Sequence, residues 1–360
     1  EGAALQERLK KAAARYGVRL MGPNCLGVID TRSGIDTFFL PPERLPLPRR
    51  GRIALAGQSG ALLSMWLEWL DEMGLGVSKV ASYGNKVDVD EVDVVSYLAD
   101  DSDTDIILLY LEGLRPGRSG ELRDAVGRAL RKGKPVVALK GGRTSEGARA
   151  AASHTGSLAA GYEIYRAFFR QAGIVEVDDM QELFDVAKAY TMLGPARGRR
   201  TLIVTNAGGE GVLAADYAAR SGLELTPLSE DVKRALRSRL RPPAVVGNPV
   251  DLTASTTDEE YKVVLDEVLS RQSYDVVLVI APPHPPGMSD RVADYIFEVR
   301  ERYRVAVFAV VTGGKLARRL AASFEKNSIP AFATPERAAK AAAKLAEIGE
   351  VLRRFSASKQ

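Results

Sequence analysis

Residues 51–74, GRIALAGQSGALLSMWLEWLDEMG, decide the fold. A short apolar run, RIALAG, meets a turn of small residues, and the chain then continues as an amphipathic helix that ends on glycine. Runs of four to eight residues of this kind read as buried strands, and the Gly-rich turn marks the passage from strand to helix. The same plan returns at residues 199–222, RRTLIVTNAGGEGVLAADYAARSG. Two further pairs follow in the same order. DTDIILLYLEG (103–113) answers to SYDVVLVIAPP (273–283), and KPVVALKGG (134–142) answers to RVAVFAVVTGG (304–314). Val- and Ile-rich strands alternating with helices imply parallel sheets covered on both faces. The expectation is an α/β chain built from two copies of one flavodoxin-like unit.

Around these repeats, two stretches rich in Pro and Arg, LPPERLPLPRRGR (40–52) and LGPARGRR (193–200), read as linkers. Proline fixes φ and offers no N–H, so neither stretch suits a central strand or a helix interior. The domains expected are residues 46–195 and 196–360, preceded by a fragment at 1–45. In that fragment LQERLKKAAARYG (5–17) reads as a helix and VRLMG (18–22) as a strand. Such pieces cannot form a domain by themselves, and the reading is that an N-terminal domain is cut away or separately encoded.

Composition narrows the class. With 360 residues, 46% hydrophobic and 27% charged, the chain suits two ordinary soluble domains. No apolar run approaches the roughly 20 residues needed to span a bilayer. The net charge of +4 comes without a Lys/Arg block, so no nucleic-acid or membrane partner is expected. The lone cysteine, Cys25, rules out an internal disulfide and fits a reducing cytoplasm.

The glycine-rich turns are Gly57-Gln58-Ser59-Gly60 and Ala207-Gly208-Gly209-Glu210-Gly211. The first N–H groups of a helix lack internal partners and sit at the positive end of its dipole, so an anion can approach them where side chains are small. Ser59 adds a hydroxyl and Asn206 an amide. The plainer alternative is a tight strand-to-helix turn and nothing more, and neither turn matches the dinucleotide or P-loop pattern. Two such turns in duplicated units speak for anion binding. Glu210 would repel an anion and is expected to point away.

Only two histidines occur, His154 and His284. Residues 141–161, GGRTSEGARAAASHTGSLAAG, are mostly Gly, Ala, Ser and Thr, and are expected to form a loop that packs lightly and moves. His154 lies within it, without the apolar neighbours of a core histidine. Either it is an exposed loop residue of no consequence, or its imidazole is a nucleophile for a phosphoryl group. Glu112, at the end of a strand, could hold the second ring nitrogen; read alone it is an ordinary turn carboxylate. Open α/β sheets place their sites at that end of the strands. His284 stands among prolines in a rigid loop that suits shape.

Taken in order, GPNCLGVI (22–29), GQSGAL (57–62), SYGNKVDVDEVD (82–93), SHTGSLAAG (153–161), TNAGGEGVLAAD (205–216) and GNPVDLT (247–253) resemble the ADP-forming acyl-CoA synthetases, relatives of succinyl-CoA synthetase. The resemblance covers nearly the whole chain, with SHTGSLAAG its most diagnostic part. It implies an α subunit with two ligase-like domains, and makes residues 1–45 the remnant of a Rossmann CoA-binding domain. It implies that acyl-CoA, ADP and phosphate interconvert with free acid, CoA and ATP, through an acyl phosphate and a phosphohistidine at His154 steadied by Glu112. Gln58, Ser59, Gly60, Asn206, Gly208, Gly209 and Gly211 would then hold phosphate. Asn24, Cys25, Gly84, Asn85 and Asn248 would line the acyl and CoA site. The family usually has proline where Glu210 stands. No metal site is implied in this chain; CoA and ADP/ATP are substrates, and Mg2+ belongs with the nucleotide on an ATP-grasp β subunit in an α2β2-type assembly. The other outcomes are a catalytically silent or regulatory relative that binds CoA esters, and an unrelated flavin- or nucleotide-binding module.

Overall fold

The computed structural model describes residues 2–155 and 161–357, with the side chains at positions 3 and 152–155 outside the description. The chain divides into two compact units, Glu1–Ala187 with Val351–Gln360, and Lys188–Glu350.

The first unit opens with α1 (Gly2–Tyr16), β1 (Gly27–Asp30) and β2 (Ile35–Asp36). It continues as β3 (Arg50–Gly57), α2 (Gly60–Glu72), β4 (Val77–Ser82), α3 (Glu91–Asp100), β5 (Ile106–Leu111), α4 (Ser119–Arg131) and β6 (Val136–Lys140). It closes with α5 (Ser145–Thr155), α6 (Tyr162–Ala172), β7 (Val175–Val177) and α7 (Met180–Leu193). Its sheet runs β2-β1-β4-β3-β5-β6-β7. The five strands from β3 to β7 are parallel, and their order is the 2-1-3-4-5 of flavodoxin-like folds. Both faces are covered, so β5 and β6 are buried almost throughout and read as unbroken apolar runs.

Residues 27–36, within the stretch expected as a remnant, belong to this sheet. β1 lies antiparallel along β4, from Gly27 opposite Ser82 to Asp30 opposite Lys79, and β2 pairs with β1. This gives the outer edge of β4 a partner it would otherwise lack. The strand expected at residues 18–22 does not form. The carbonyls of Leu20 and Gly22 accept from Val89 and Val87 in a connecting segment instead.

The second unit repeats the plan with β8 (Arg200–Thr205), α8 (Gly208–Arg220), β9 (Glu224–Leu225), α9 (Glu230–Arg239), β10 (Val250–Asp251), α10 (Asp258–Leu269) and β11 (Val276–Ile280). It ends with α11 (Arg291–Tyr303), β12 (Ala306–Val310), α12 (Lys315–Lys326), β13 (Ala331–Phe332) and α13 (Pro335–Ala357). The path is β10-β8-β11-β12-β13, with β9 also on β8. β11 takes one side of β8, so the two short strands share the other: β9 pairs with its first residues and β10 with its last. The second unit therefore keeps the 2-1-3-4-5 order with its second strand broken in two.

Residues 141–161 also differ from the expected loop. Residues 145–155 form α5, not a loop. The stretch is rich in alanine, the strongest helix former, and Thr144 starts it by accepting from Gly147 N–H with its hydroxyl at 3.1 Å. What survives of the expectation is the light packing: residues 143–151 include no buried position.

Candidate active site

In the first unit the sheet direction changes between β3 and β5, and the crevice at the carboxyl ends of such strands is where open α/β sheets bind ligands. The strand register puts Gly57 beside Tyr110 on one side and Ser82 on the other. Gly57-Gln58-Ser59-Gly60 carries the chain from β3 into α2. Ser59 is the N-cap, and its Oγ accepts from Leu62 N–H at 3.4 Å, which leaves the hydroxyl hydrogen and the nearer amides to face a ligand. At Gly60 a Cβ would fall 2.8 Å from Leu26 Cβ, so glycine is what lets the GPNCLG segment close on the turn.

Gln58 is buried and its amide does other work than the one expected of it. Its Oε1 accepts from Glu112 N–H at 2.7 Å, joining the glycine turn to the turn after β5. Glu112 is itself buried, and its Oε1 accepts from Tyr110 Oη at 3.1 Å. Burial and the adjacent carboxylate push the Tyr110 hydroxyl well above the ordinary tyrosine range, so it stays a donor. Gly141 leaves room for this phenol, since a Cβ there would meet Tyr110 Oη at 2.7 Å.

Lys140 was not anticipated from the sequence. It ends β6 buried, with Nζ donating to Glu112 C=O at 2.7 Å and to Gly141 C=O. The ammonium sits 4.5 Å from the centre of the Tyr165 ring. Loss of water pushes its pKa down to about 8, against the pull of Glu112 and Glu176. The signal was a charged residue closing an otherwise apolar strand, VVALK.

α5 leaves from the strand next to Glu112. His154 is on its last turn by backbone, and its side chain lies outside the described residues, as do Gly156 and Ser157.

Four of the five residues expected at the acyl and CoA site come together. Gly84, with φ +51, packs where a Cβ would lie 2.3 Å from Asn24 C=O, and Asn85 N–H donates to Pro23 C=O at 2.9 Å. Asn24 Nδ2 reaches Asn85 Oδ1 at 3.4 Å, and Cys25 follows directly, partly exposed. Asn248 belongs to the second unit, where its carboxamide is fully engaged. Its Oδ1 accepts from Ile203 N–H at 3.0 Å, and its Nδ2 donates to the carbonyls of Thr201 and Thr226 at 2.8 and 2.9 Å. Ile203 N–H and Thr201 C=O belong to β8 and Thr226 C=O follows β9, so the carboxamide links the two where the strand pairing ends.

The second glycine turn differs in charge. Gly208 and Gly209 are exposed at the start of α8, whereas Gly211 is turned inward, where a Cβ would strike Thr205 Cγ2 at 2.9 Å. Asn206 is buried, with Nδ2 donating to Pro282 C=O at 3.2 Å. A Cβ on Gly208 would come 2.6 Å from Asp251 Oδ2, so this helix start already has a carboxylate beside it. Glu210 Oε2 accepts from Thr312 Oγ1, just past β12, at 2.9 Å. His284 packs over Gly313, whose Cβ would lie 3.2 Å from the imidazole Cε1. Among the described residues no group of three or more His, Cys, Asp or Glu is placed to hold a metal ion, and no helix is long and apolar enough to cross a membrane.

With this geometry in place, known proteins offer a close match. Residues 50–190 match the succinyl-CoA ligase like flavodoxin domain and residues 201–280 the ligase-CoA domain. The chain is 37% identical over 346 residues to acetate–CoA ligase [ADP-forming] II subunit alpha of Pyrococcus furiosus, covering 95% of this chain and 74% of that one. The chain belongs to the ADP-forming acyl-CoA synthetase family. To acetate–CoA ligase [ADP-forming] I of Archaeoglobus fulgidus it is also 37% identical, over 98% of its own length but 49% of that protein. The chain thus spans about half of that relative and about three quarters of the Pyrococcus subunit. Among solved structures, the dinucleotide forming acetyl-coenzyme A synthetase 1 of Ca. Korarchaeum cryptofilum, in complex with phosphate and ADP, superposes with a TM-score of 0.89 at 31% identity. That superposition covers 99% of this chain and 76% of the other. The family's flavodoxin-like, parallel-sheet architecture is the one expected from the sequence.

Proposed function

We propose that the chain is the phosphoryl-carrying part of the α subunit of an ADP-forming acyl-CoA synthetase, which interconverts acyl-CoA, ADP and phosphate with acid, CoA and ATP. Phosphate displaces CoA from the acyl-CoA to give an acyl phosphate. An imidazole nitrogen of His154 then attacks phosphorus, the bond to the acyl oxygen breaks, and the free carboxylate leaves. Glu112 holds the proton-bearing ring nitrogen and stabilises the cation that forms, which is the role an orienting carboxylate plays beside a nucleophilic imidazole. The amides that begin α2, with Ser59, bear the charge of the transferring group, and within the second unit those of Gly208 and Gly209 at the start of α8 offer a separate place for an anion. The phosphohistidine passes its phosphoryl group to ADP on an ATP-grasp β subunit, where a Mg2+ would accompany the nucleotide. Asn24, Cys25, Gly84 and Asn85 contribute to the acyl and CoA site.

The observation that carries this reading is the direct bond from Gln58 to the Glu112 amide. It brings a helix N-terminus and a buried carboxylate together at the switch point of the sheet, one strand from the arm bearing His154. The test is to incubate the full-length protein with its β partner and labelled ATP. An acid-labile, base-stable phosphate is expected, absent from His154→Ala. Retention of that label in the variant would refute the proposal.

A further inference from the structure

Beneath the turn at residues 112–114 lie two buried lysines to which the proposed steps assign nothing. Lys140 donates to the carbonyls of Glu112 and Gly141, and Lys86 donates to the carbonyl of Gly113 while Glu91 holds it at 3.0 and 3.1 Å. Two neutral groups complete the grip: Gln58 on the Glu112 N–H, and Tyr165 Oη, which accepts from Leu114 N–H at 3.0 Å. Every residue of the turn is thus fixed by a side chain from another element, namely the glycine turn, the segment after β4, the end of β6 and α6.

An ammonium taken out of water is strongly disfavoured before its partners are counted. Satisfying two carbonyls does not require one, since a bound water or a neutral amide would serve. What the lysine adds is a short, charge-assisted bond, and here one cation makes such bonds to two places at once. Glu112 is the carboxylate of the proposed site; Gly141 begins the segment that becomes α5 and carries His154. A matched contrast exists at the opposite edge of the same sheet. Lys134, just before β6, is also buried and donates to the carbonyls of Leu98, Ala99 and Asp101, at the end of the strands away from Glu112.

We propose that Lys140 is a positioning residue for phosphoryl transfer: its ammonium ties the Glu112 turn to the root of the His154 arm, so that carboxylate and imidazole meet in register. Lys86 and Tyr165 hold the following two residues to the same end. The inference rests on the reading that Glu112 steadies His154.

The experiment uses the full-length protein with its β partner and compares Lys140→Met, Lys140→Arg and Lys134→Met with the unaltered enzyme. Both methionine variants are expected to unfold at lower denaturant concentration. Only Lys140→Met should lose turnover, by roughly 10- to 100-fold, the scale of a displaced catalytic group, while KM for acid and CoA stays within about two-fold. Lys140→Arg should lie between Lys140→Met and the unaltered enzyme. Equal losses in Lys134→Met and Lys140→Met, or a rise in KM at unchanged kcat, overturn the proposal. Should Lys140→Met fail to fold, Tyr165→Phe removes only the hydroxyl that holds Leu114; a several-fold fall in kcat supports the proposal and an unchanged kcat overturns it. His154→Ala run alongside separates the two levels. If it keeps its phosphate, the underlying reading fails and this one with it; if it loses phosphate while Lys140→Met turns over normally, only the role of Lys140 falls.

Discussion

Gly84 faces the carbonyl oxygens of Pro23 and Asn24 with φ +51, and a Cβ would stand 2.4 and 2.3 Å from them. Neither oxygen can yield as a flexible side chain would, because both are backbone. Gly84→Ala is therefore expected to push the segment at residues 22–26 off the sheet edge, lowering stability by about 1–3 kcal/mol through strain alone and raising KM for the acyl substrates more than it lowers kcat. Denaturant unfolding and steady-state kinetics read the two effects, and an alanine variant with unaltered KM would remove this segment from the acyl site. Gly84 stood out only through the resemblance of SYGNKVDVDEVD; its approach to residues 22–26 depends on β1 pairing with β4, which no local pattern announces. Glu112 was legible as a carboxylate at a strand end, but not as buried, since its partner Gln58 comes from the turn after β3 and depends on which strand neighbours β5. Lys140 was missed for a related reason. A lysine after VVAL reads as a solvated strand end, and only the pairing of Leu111 with Lys140 brings it under the carbonyl of Glu112.

Among the elements, β8 shows how a side chain can stand in for a strand. β9 and β10 together cover its first and last residues, and the groups between them, Ile203 N–H and Thr201 C=O, go to the carboxamide of Asn248. Asn248→Ala would leave a buried donor and acceptor unsatisfied, which costs about 1–3 kcal/mol. Asn248→Asp would keep the acceptor for Ile203 and put a carboxylate against two carbonyl oxygens, and is expected to be the worse of the two. Chemical denaturation of both variants checks the order; equal stability in all three proteins would show the gap to be filled by water. GNPVDLT stood out as a motif through the resemblance, but the bonds of its asparagine to β8 were not legible, because a broken strand leaves no periodic trace in residues 224–251. α5 escaped notice for a different reason. Helices are usually recognised by an apolar stripe, and SEGARAAASHT has none to offer. Its helicity comes from alanine propensity and the Thr144 start, signals weaker than amphipathicity, and its scant burial would suit the arm proposed above.

For the whole molecule, the duplicated order 2-1-3-4-5 was readable from three ordered pairs of segments, but the assignment of the C-terminus was not. Val351–Gln360 belongs to the first unit although the preceding residues, back to Lys188, form the second. Val351, Leu352 and Phe355 pack on the first core, and Gly173 is glycine partly for this reason: a Cβ there would lie 2.7 Å from both Phe355 Cε2 and Leu130 Cδ1. An alanine-rich helix such as α13 gives no hint in sequence that its last turns serve another core. The consequence is testable. Phe355→Ala removes a half-buried ring, and loses about 1–3 kcal/mol of burial and packing, less than the full cost of a core phenylalanine because the ring is only partly covered. That loss should fall on the first unit alone, since the second has its own closed core from Leu202 to Ala331. Hydrogen exchange on the variant is expected to show faster exchange in α4, β6 and α6, with the amides of β8, β11 and β12 unchanged. Equal acceleration in both units would mean that the two cores unfold as one cooperative body. Loss of protection confined to the second unit would place the end of α13 with the wrong core.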